Sequence, residues 1–559
     1  MTDSLTRNIK HLLTSLVLQG VHDFVVSPGS RTTPIALLLA EMQQLRDDVR
    51  VTVDVDERSA AFFALGIAKT SHQPVVLLAT SGTATGNYLP AFMEASISHV
   101  PLIALTTDRP TELQQIGAPQ TVQQENLYGH HTKAYAAIEM QDDHEDVTAY
   151  IDYHVQELVG MALTHPMGPI QINLPLRKPL MPKLAESWPT VTPQRILVGQ
   201  RQAGWQNTQA IAALLRKPKA MMLLGPDEIG WDIEKLEQLA AHYQLPVLAD
   251  VLSNFRPSEY AINGIDSLLA ADVIDDSLVP DVVLRFGGTP VSAKVVAWLR
   301  DQEIPVIQIG QEHAGHDHGR HTHTTVIADP NAVVSDLLAE PGVKNAAFLT
   351  QWQELTSKLM AVVAAEKTDS IEYQVPAALA TLPENAKLFI ANSMPIRDMD
   401  NYFVPEQQIQ IAANRGANGI DGTVSSAFGM AMSGKPTTLL TGDLTLFHDM
   451  NGLMLSHQAH VPMTIVVINN QGGGIFSFLP QAEAAAYFEP MFGTPLPIVI
   501  ERIARLYDAE YKLVDQLETL SELIRKPATR LRIIEVQSDR QKNVTAHHDL
   551  TSAIKEALS

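Results

Sequence analysis

The chain has no cysteine, which excludes disulfides, thiolate metal sites and a cysteine nucleophile and accords with a reducing compartment. It also lacks any apolar run near the ~20 residues that span a bilayer. Residues 1–10 are polar where a signal peptide carries an apolar core. A cytoplasmic location is the expectation. Basic residues are in deficit: 40 Lys and Arg stand against 62 Asp and Glu, a formal charge of −22. Such a field disfavours nucleic acid and anionic membrane as partners. Any anionic substrate must therefore meet a local basic cluster. No Gly-x-Gly-x-x-Gly follows an apparent strand, which weakens a reading as an NAD- or nucleotide-binding protein.

What is present is the composition of a folded globular chain, 45% apolar and 18% charged over 559 residues. That length corresponds to roughly three to five domains. Short apolar runs alternate with helix-length amphipathic segments, as in Val75-Val76-Leu77-Leu78-Ala79, a helix, then Pro101-Leu102-Ile103-Ala104-Leu105. This rhythm predicts an α/β fold of doubly wound parallel sheets covered on both faces. Two stretches interrupt it, a proline-bearing one over 180–194 and a polar, charged one over 366–372. They divide the chain into 1–185, 190–365 and 370–559.

The outer thirds carry an apparent degenerate repeat. Pro74-Val75-Val76-Leu77-Leu78-Ala79-Thr80-Ser81-Gly82, a helix, and His99-Val100-Pro101 parallel Pro436-Thr437-Thr438-Leu439-Leu440-Thr441-Gly442-Asp443, a helix, and His460-Val461-Pro462. From Pro74 to His99 is 25 positions, and from Pro436 to His460 is 24. Two domains of one fold are expected, with a central α/β domain between them.

Gly442-Asp443 places a carboxylate at the carboxyl end of a buried strand, where open parallel sheets bind ligands. A helix is expected from there through Leu455, and then a strand, Ile465-Val466-Val467-Ile468, ending in Asn469-Asn470-Gln471-Gly472-Gly473. Magnesium favours oxygen donors and is usually held by one or two protein groups plus phosphate oxygens. Asp443, the Asn470 amide oxygen and a backbone carbonyl near Gly472 supply three donors, and the glycines allow close approach to phosphate. Taken singly, Asp443 also reads as a helix cap and the Asn-Gly run as a turn. Glu57, at the start of an expected helix after a strand over 51–56, could simply favour the positive end of that helix dipole, a contribution of ~0.3–1 kcal/mol.

Together, with 27 positions between Asp443 and Asn470, these elements resemble the signature of the thiamine-diphosphate-dependent enzymes. Leu444 stands where that family commonly has a second glycine. The resemblance implies thiamine diphosphate and Mg2+ as cofactors, with Mn2+ a possible substitute, and the thiamine-diphosphate-binding fold in the first and third domains. It makes 1–185 the pyrimidine-binding domain and 370–559 the diphosphate- and metal-binding domain. Glu57 becomes the catalytic residue, bonding the aminopyrimidine ring nitrogen so that this ring can take the proton from thiazolium C2. Asp443, Asn470 and Gly472 become the metal ligands. Ser81, Gly82, Gly442, Leu444, Gly473 and Ile475 become cofactor contacts, and Ile420 supports the bent cofactor. Self-association as a homodimer or homotetramer, with the active site between subunits, is also implied.

Further segments sharpen the resemblance: Ser27-Pro28-Gly29-Ser30-Arg31-Thr32-Thr33-Pro34, Asp56-Glu57-Arg58, Thr107-Asp108-Arg109-Pro110, Asn414-Arg415-Gly416-Ala417-Asn418-Gly419-Ile420-Asp421-Gly422 and Ile475-Phe476-Ser477. They are similar to the branch of the family that serves menaquinone biosynthesis. That branch is a transferase, a carboligase that decarboxylates 2-oxoglutarate and adds the succinyl carbanion equivalent to isochorismate. Both substrates are dianions, which agrees with arginines in turns and loops after apparent strands. By motif, Ser30, Arg31, Arg109, Gln120, Lys294, Ser393, Arg397 and Arg415 are substrate contacts, with Phe476 and Leu479 lining the pocket. Val295 follows Lys294 where some relatives have a second basic residue. Another thiamine-diphosphate 2-oxoacid decarboxylase, or an acetolactate-type synthase, is the alternative. Five histidines crowd into 313–323. Their spacing reads as a solvated loop rather than a zinc or nickel site, and His448 reads as a helix residue rather than a ligand.

Overall fold

The computed structural model describes residues 3–194, 196–312, 317–366, 368 and 370–559. Eighteen strands among them form three six-stranded sheets, and every pairing is parallel.

The first sheet contains β1 (Asp23–Val26), β2 (Arg50–Val53), β3 (Val75–Ala79), β4 (Leu102–Asp108), β5 (Ala134–Ala137) and β6 (Ile170–Pro175), in the spatial order β2-β1-β3-β4-β6-β5. Its central strands β3, β4 and β6 are wholly buried, as parallel strands covered on both faces must be, and β3 is apolar throughout. The second contains β7 (Ala220–Leu224), β8 (Val247–Ala249), β9 (Ala261–Ile262), β10 (Val282–Phe286), β11 (Val306–Gly310) and β12 (Thr322–Ile327), ordered β12-β11-β10-β7-β8-β9. Read from its other edge this is third, second, first, fourth, fifth, sixth, the dinucleotide-type doubly wound order. The third contains β13 (Lys387–Ile390), β14 (Gln410–Ala412), β15 (Thr437–Gly442), β16 (Thr464–Asn469), β17 (Glu510–Val514) and β18 (Arg532–Gln537), ordered β14-β13-β15-β16-β18-β17.

The first and third sheets thus share one order: second, first, third, fourth, sixth, fifth. The repeat read from the sequence is a repeat of topology. We keep 1–185, 190–365 and 370–559 as the proposed sheet-by-sheet division. By packing, the chain forms two compact units: residues 1–198, 414–435 and 445–463 make one, and 199–413, 436–444 and 464–559 make the other.

Within the first unit, the helix Glu57–Ser71 packs on the helix Thr423–Ala431 at glycine contacts. A Cβ on Gly66 would lie 2.0 Å from the Ser426 carbonyl oxygen, and one on Gly429 would lie 2.2 Å from that of Phe63. Only hydrogen fits there, so the two backbones approach within van der Waals contact.

One expected element is corrected. The helix read from Asp443 through Leu455 is three short pieces: an α-helix over Asp443–His448, a 3-10 turn over Met450–Met454 and a last α-turn over Leu455–Gln458. The break lies at Asp449, whose fully buried carboxylate accepts the Ser425 N–H at 2.7 Å. Gly452 then closes a tight turn onto the Asp449 carbonyl at 3.0 Å. Its missing side chain leaves room for Ser425 Oγ, which a Cβ would meet at 2.5 Å. Helical periodicity carries no trace of this long-range capture.

Candidate active site

Nearly every residue singled out from the sequence lies just after the carboxyl end of a parallel strand. In the first sheet, β1 leads to Ser30 and Arg31, β2 to Glu57, β3 to Ser81 and Gly82, and β4 to Arg109. In the third, β13 leads to Ser393 and Arg397, β14 to Arg415 and Ile420, β15 to Asp443, and β16 to Asn470 and the glycines after it. This is the edge at which open α/β sheets take ligands. The residues fall into two sets, one in each compact unit.

In the first unit, Glu57 is the first residue of its helix, and Asp56 caps that helix by accepting the N–H groups of Arg58 and Ser59 at 3.0 and 3.3 Å. The carboxylate is thereby set, half-buried, at the helix's amino end. Beneath it lies Asp54, 3% exposed, whose carboxyl is pushed up to about 6 chiefly by burial. Sequence reading passed over Asp54, since one aspartate in a strand end carries no signature.

Arg109 is the hub of the anion-binding groups. Its Nη1 donates to Ser81 Oγ at 2.5 Å, and its Nη2 to the Pro119 carbonyl at 2.9 Å and to Gln120 Oε1 at 3.4 Å. Arg31 is 6% exposed and donates to the Leu176 carbonyl. Burial is the main cause that lowers its pKa, and the nearby Arg109 charge adds to the lowering. Arg31, Ser81, Arg109 and Gln120 therefore come together, and two guanidinium groups held close, with the buried Asp108 carboxylate acting on both, still carry an excess positive charge that suits an anion. Gly82, at φ +99°, turns the chain there and donates its N–H to Gln124 Oε1 at 3.0 Å. Ser30 is exposed beside them, its carbonyl accepting Thr33 Oγ1 at 2.8 Å. Arg415 and Ile420 are half-buried on the segment after β14.

In the second unit, β15 and β16 are neighbours with Gly442 in register with Ile468. That register brings Asp443 and Asn470 to adjoining strand ends. Asp443 is 5% exposed, and burial is the largest cause that raises its carboxyl to about 6, against the N–H groups of Leu444 and Gly472. Gly472, at φ +137°, lies so close to Gly493 that a Cβ would sit 1.9 Å from its carbonyl oxygen. Gly473 donates its N–H to that same oxygen at 2.8 Å. Asn470 Nδ2 donates to Glu372 at 3.1 and 3.3 Å, which leaves the amide oxygen for another partner.

These residues fit a hard divalent cation with a diphosphate. One buried carboxylate wants a positive charge, an amide oxygen is free to help, and Gly442, where a Cβ would meet nothing nearer than 4.0 Å, leaves open room beside them. Among the described residues no group of three or more His, Cys, Asp or Glu could hold a metal ion, so a site built mainly from protein carboxylates or imidazoles is not offered there. Of the histidine-rich stretch, His313 and His316 lie outside the described residues, and the rings of His321 and His323 meet edge to face with their centres 4.7 Å apart. His448 ends its short helix, and its carbonyl accepts Arg58 Nη2 at 2.9 Å.

Lys294 and Arg397 converge on Asp266. Lys294 Nζ lies 2.5 Å from Asp266 Oδ2, and the charge of Asp266 acts on Arg397, whose pKa is lowered first by burial. Arg397 Nη1 also donates to the Ser393 carbonyl at 2.6 Å, where Ser393 takes φ +75° at the head of the helix Met394–Tyr402. Ile475, Phe476 and Leu479 lie on the turn after the glycines, Phe476 against Phe492 with ring centres 5.6 Å apart. Lys294 is thus ion-paired, and its release by substrate would have to displace Asp266.

The match to known proteins spans this whole layout. "Thiamine pyrophosphate enzyme, N-terminal TPP binding domain" matches residues 8–127, "Middle domain of thiamine pyrophosphate" 195–390, and "Thiamine pyrophosphate enzyme, C-terminal TPP binding domain" 397–536. The chain belongs to the thiamine pyrophosphate enzyme family. It is 47% identical to a 2-succinyl-5-enolpyruvyl-6-hydroxy-3-cyclohexene-1-carboxylate synthase of Leuconostoc mesenteroides subsp. mesenteroides, over 99% of this chain and 100% of the relative. A protein of the same name from Listeria monocytogenes is 40% identical over 99% of this chain and 98% of its own. A benzoylformate decarboxylase from Polynucleobacter necessarius superposes with a TM-score of 0.72 at 17% identity, covering 96% of this chain and 99% of that one. That likeness is one of fold. No helix among the described residues is long and apolar enough to cross a membrane.

Proposed function

We propose that the chain is a carboligase that decarboxylates 2-oxoglutarate and adds the resulting succinyl unit to isochorismate. The products are 2-succinyl-5-enolpyruvyl-6-hydroxy-3-cyclohexene-1-carboxylate and CO2, a step of menaquinone biosynthesis. The observation that carries the reading is the partly desolvated Arg31 and Arg109 pair, with Ser81 and Gln120 on its donors. Both substrates bring two carboxylates, and in a chain of net charge −22 they need such a built local field. The name shared by the relatives at 40% and 47% identity supports the same substrates.

Thiamine diphosphate, when bound, supplies the acidic carbon that adds to the 2-oxo group and stores the electron pair left by CO2. The residues of this chain supply the rest. Glu57, half-buried at the amino end of its helix, would bond the pyrimidine nitrogen. Asp443, the Asn470 amide oxygen and the Gly472 carbonyl would hold Mg2+, with Mn2+ able to replace it, and Gly442, Leu444, Gly473 and Ile475 would contact the diphosphate side. Ile420 would support the bent cofactor. Ser30, Arg31, Arg109, Gln120, Lys294, Ser393, Arg397 and Arg415 orient the carboxylates, and Phe476 and Leu479 exclude water from the reacting carbon.

The protein works in the cytoplasm on this reading and associates with itself, the site lying between subunits. The test is turnover by the purified chain. CO2 and adduct should form from 2-oxoglutarate plus isochorismate, only with thiamine diphosphate and a divalent ion. Efficient acetolactate formation from pyruvate, with no use of isochorismate, would replace this assignment by that of an acetolactate-type synthase.

A further inference from the structure

Asn470 ends in an amide whose two faces have almost the same shape, and only one of them can serve a cation. Its neighbour Glu372 decides between them. Glu372 is 1% exposed at the start of the 3-10 turn Glu372–Gln374, 98 positions from Asn470 in sequence. Both of its carboxylate oxygens accept from the same nitrogen, Oε1 at 3.1 Å and Oε2 at 3.3 Å from Asn470 Nδ2. A carboxylate only accepts, so the NH2 end must face it and the oxygen must face away. Gly474 makes room for this arrangement, since a Cβ there would lie 2.7 Å from Nδ2.

The carboxylate is itself held in a built polar pocket. Burial and the nearby Asp398 charge push the Glu372 carboxyl up to about 7, against the Asn470 amide and His547, which lies on the helix Arg540–Leu558 3.3 Å from Asp398. The His547 ring is enclosed by those of Tyr373, Tyr402 and Phe478, centred 5.8, 6.1 and 5.2 Å away. Packing alone does not call for this, because a neutral glutamine would fill the space of Glu372 without burying a charge. We propose that Glu372 is a positioning residue that locks the Asn470 amide with its oxygen turned to the metal. This rests on the reading of Asp443, Asn470 and Gly472 as metal ligands, and it adds a residue that touches neither metal nor substrate.

The experiment measures Mn2+ affinity of the full chain by electron paramagnetic resonance, with thiamine diphosphate present and no substrate. Glu372→Gln can donate as well as accept, so the Asn470 amide is free to turn. Its Mn2+ affinity should fall about 10-fold or more, the range found when groups behind metal ligands are changed. Thiamine diphosphate affinity at saturating Mn2+ should stay near that of the parent. Asn470→Asp alone sets two carboxylates against each other and should also bind Mn2+ weakly. Combining Asn470→Asp with Glu372→Gln should recover Mn2+ affinity, because the new glutamine donates to one carboxylate oxygen and leaves the other for the ion. A structural role for Glu372 predicts no such rescue. The proposal is overturned if Glu372→Gln binds Mn2+ like the parent, or if the double variant binds no better than Asn470→Asp. Should Glu372→Gln fail to fold, Asn470→Asp decides alone: Mn2+ binding as tight as the parent's would overturn the proposal, because the Glu372 carboxylate would then not govern what position 470 offers the ion. No turnover is needed. A parent chain that binds Mn2+ but ignores isochorismate would sink the substrate assignment and leave this role standing, and one that binds no metal would remove the metal reading on which it rests.

Discussion

Glu94 accepts the backbone N–H of Gly416 at 3.0 Å and that of Ala417 at 2.7 Å, tying a helix of the first sheet to the segment that carries Arg415 and Ile420. The carboxylate is 2% exposed and also takes Lys69 Nζ at 2.9 Å and Ser98 Oγ at 2.8 Å. Burial alone would raise its pKa, but the Lys69 charge and these donors outweigh it and hold the carboxyl below its ordinary value. Glu94→Ala removes the acceptor shared by the N–H groups of Gly416 and Ala417 and by Lys69 Nζ, so we expect a loss of about 3 kcal/mol in urea unfolding. Glu94→Gln should lose less, because its amide oxygen can still accept from the backbone. A Glu94→Ala chain within about 0.5 kcal/mol of the parent would show that the tie carries no stability.

Asp54 gives a pH dependence of opposite sign. Burial is the largest cause that lifts its carboxyl to about 6, and the charges of Asp56 and Glu57 add to it against hydrogen bonds from Ser59 and Asp56. The ordinary aspartate value is about 3.9, so the folded chain binds this proton more tightly than the unfolded one. Its contribution is therefore fully present below about pH 4, is lost as pH rises through about 6, and changes no further above that. Asp54→Asn keeps the shape and cannot ionise. It should gain roughly 2 kcal/mol over the parent at pH 8 and nothing at pH 4. A difference between the two chains that stays constant over that range would show that Asp54 does not titrate in the folded protein.

These two acids mark the limit of what the sequence discloses. Gly442-Asp443 and Asn469-Asn470 are legible because each sits at a strand end, and apolar runs of five or six residues announce strands. Glu57 is legible because Asp56 caps the helix that Glu57 begins. The repeated Pro-to-His spacing pointed to two domains of one fold, and the first and third sheets share one strand order. Glu94 and Glu372 leave no such mark, since their partners lie 322 and 98 positions away and neither residue stands in a periodic pattern. The helix expected through Leu455 failed for the same reason, its break being set by Ser425, 24 positions before Asp449. Local chemistry writes itself into neighbouring residues, whereas supporting contacts depend on which loops the sheets bring together.

Arg109 tests the substrate reading. Its fork spans Ser81 Oγ and Gln120 Oε1, a planar arrangement that an ammonium group cannot copy. Arg109→Lys should raise KM for at least one of the two dianions about 10-fold or more, with thiamine diphosphate affinity unchanged. Steady-state kinetics with each substrate varied in turn, read beside a cofactor titration, separates the two effects. Unaltered KM for both substrates would take Arg109 out of the site.

The proposed site needs one Glu57 and one Asp443. If that site lies between subunits, two inactive variants can repair each other. Glu57→Gln loses the carboxyl that would bond the pyrimidine nitrogen and Asp443→Ala loses the metal carboxylate, so each alone should show little turnover. In a mixed dimer, one site joins the intact Glu57 of the second variant to the intact Asp443 of the first, and the other site carries both defects. After random exchange half of the dimers are mixed, and activity should return to about a quarter of the parent level. Mixing at equal concentration, with exchange driven by mild urea and followed by dilution, gives the measurement. Size-exclusion chromatography with light scattering on the same samples shows whether they remain associated. An associated mixture with no regained turnover would mean that each site takes Glu57 and Asp443 from a single subunit.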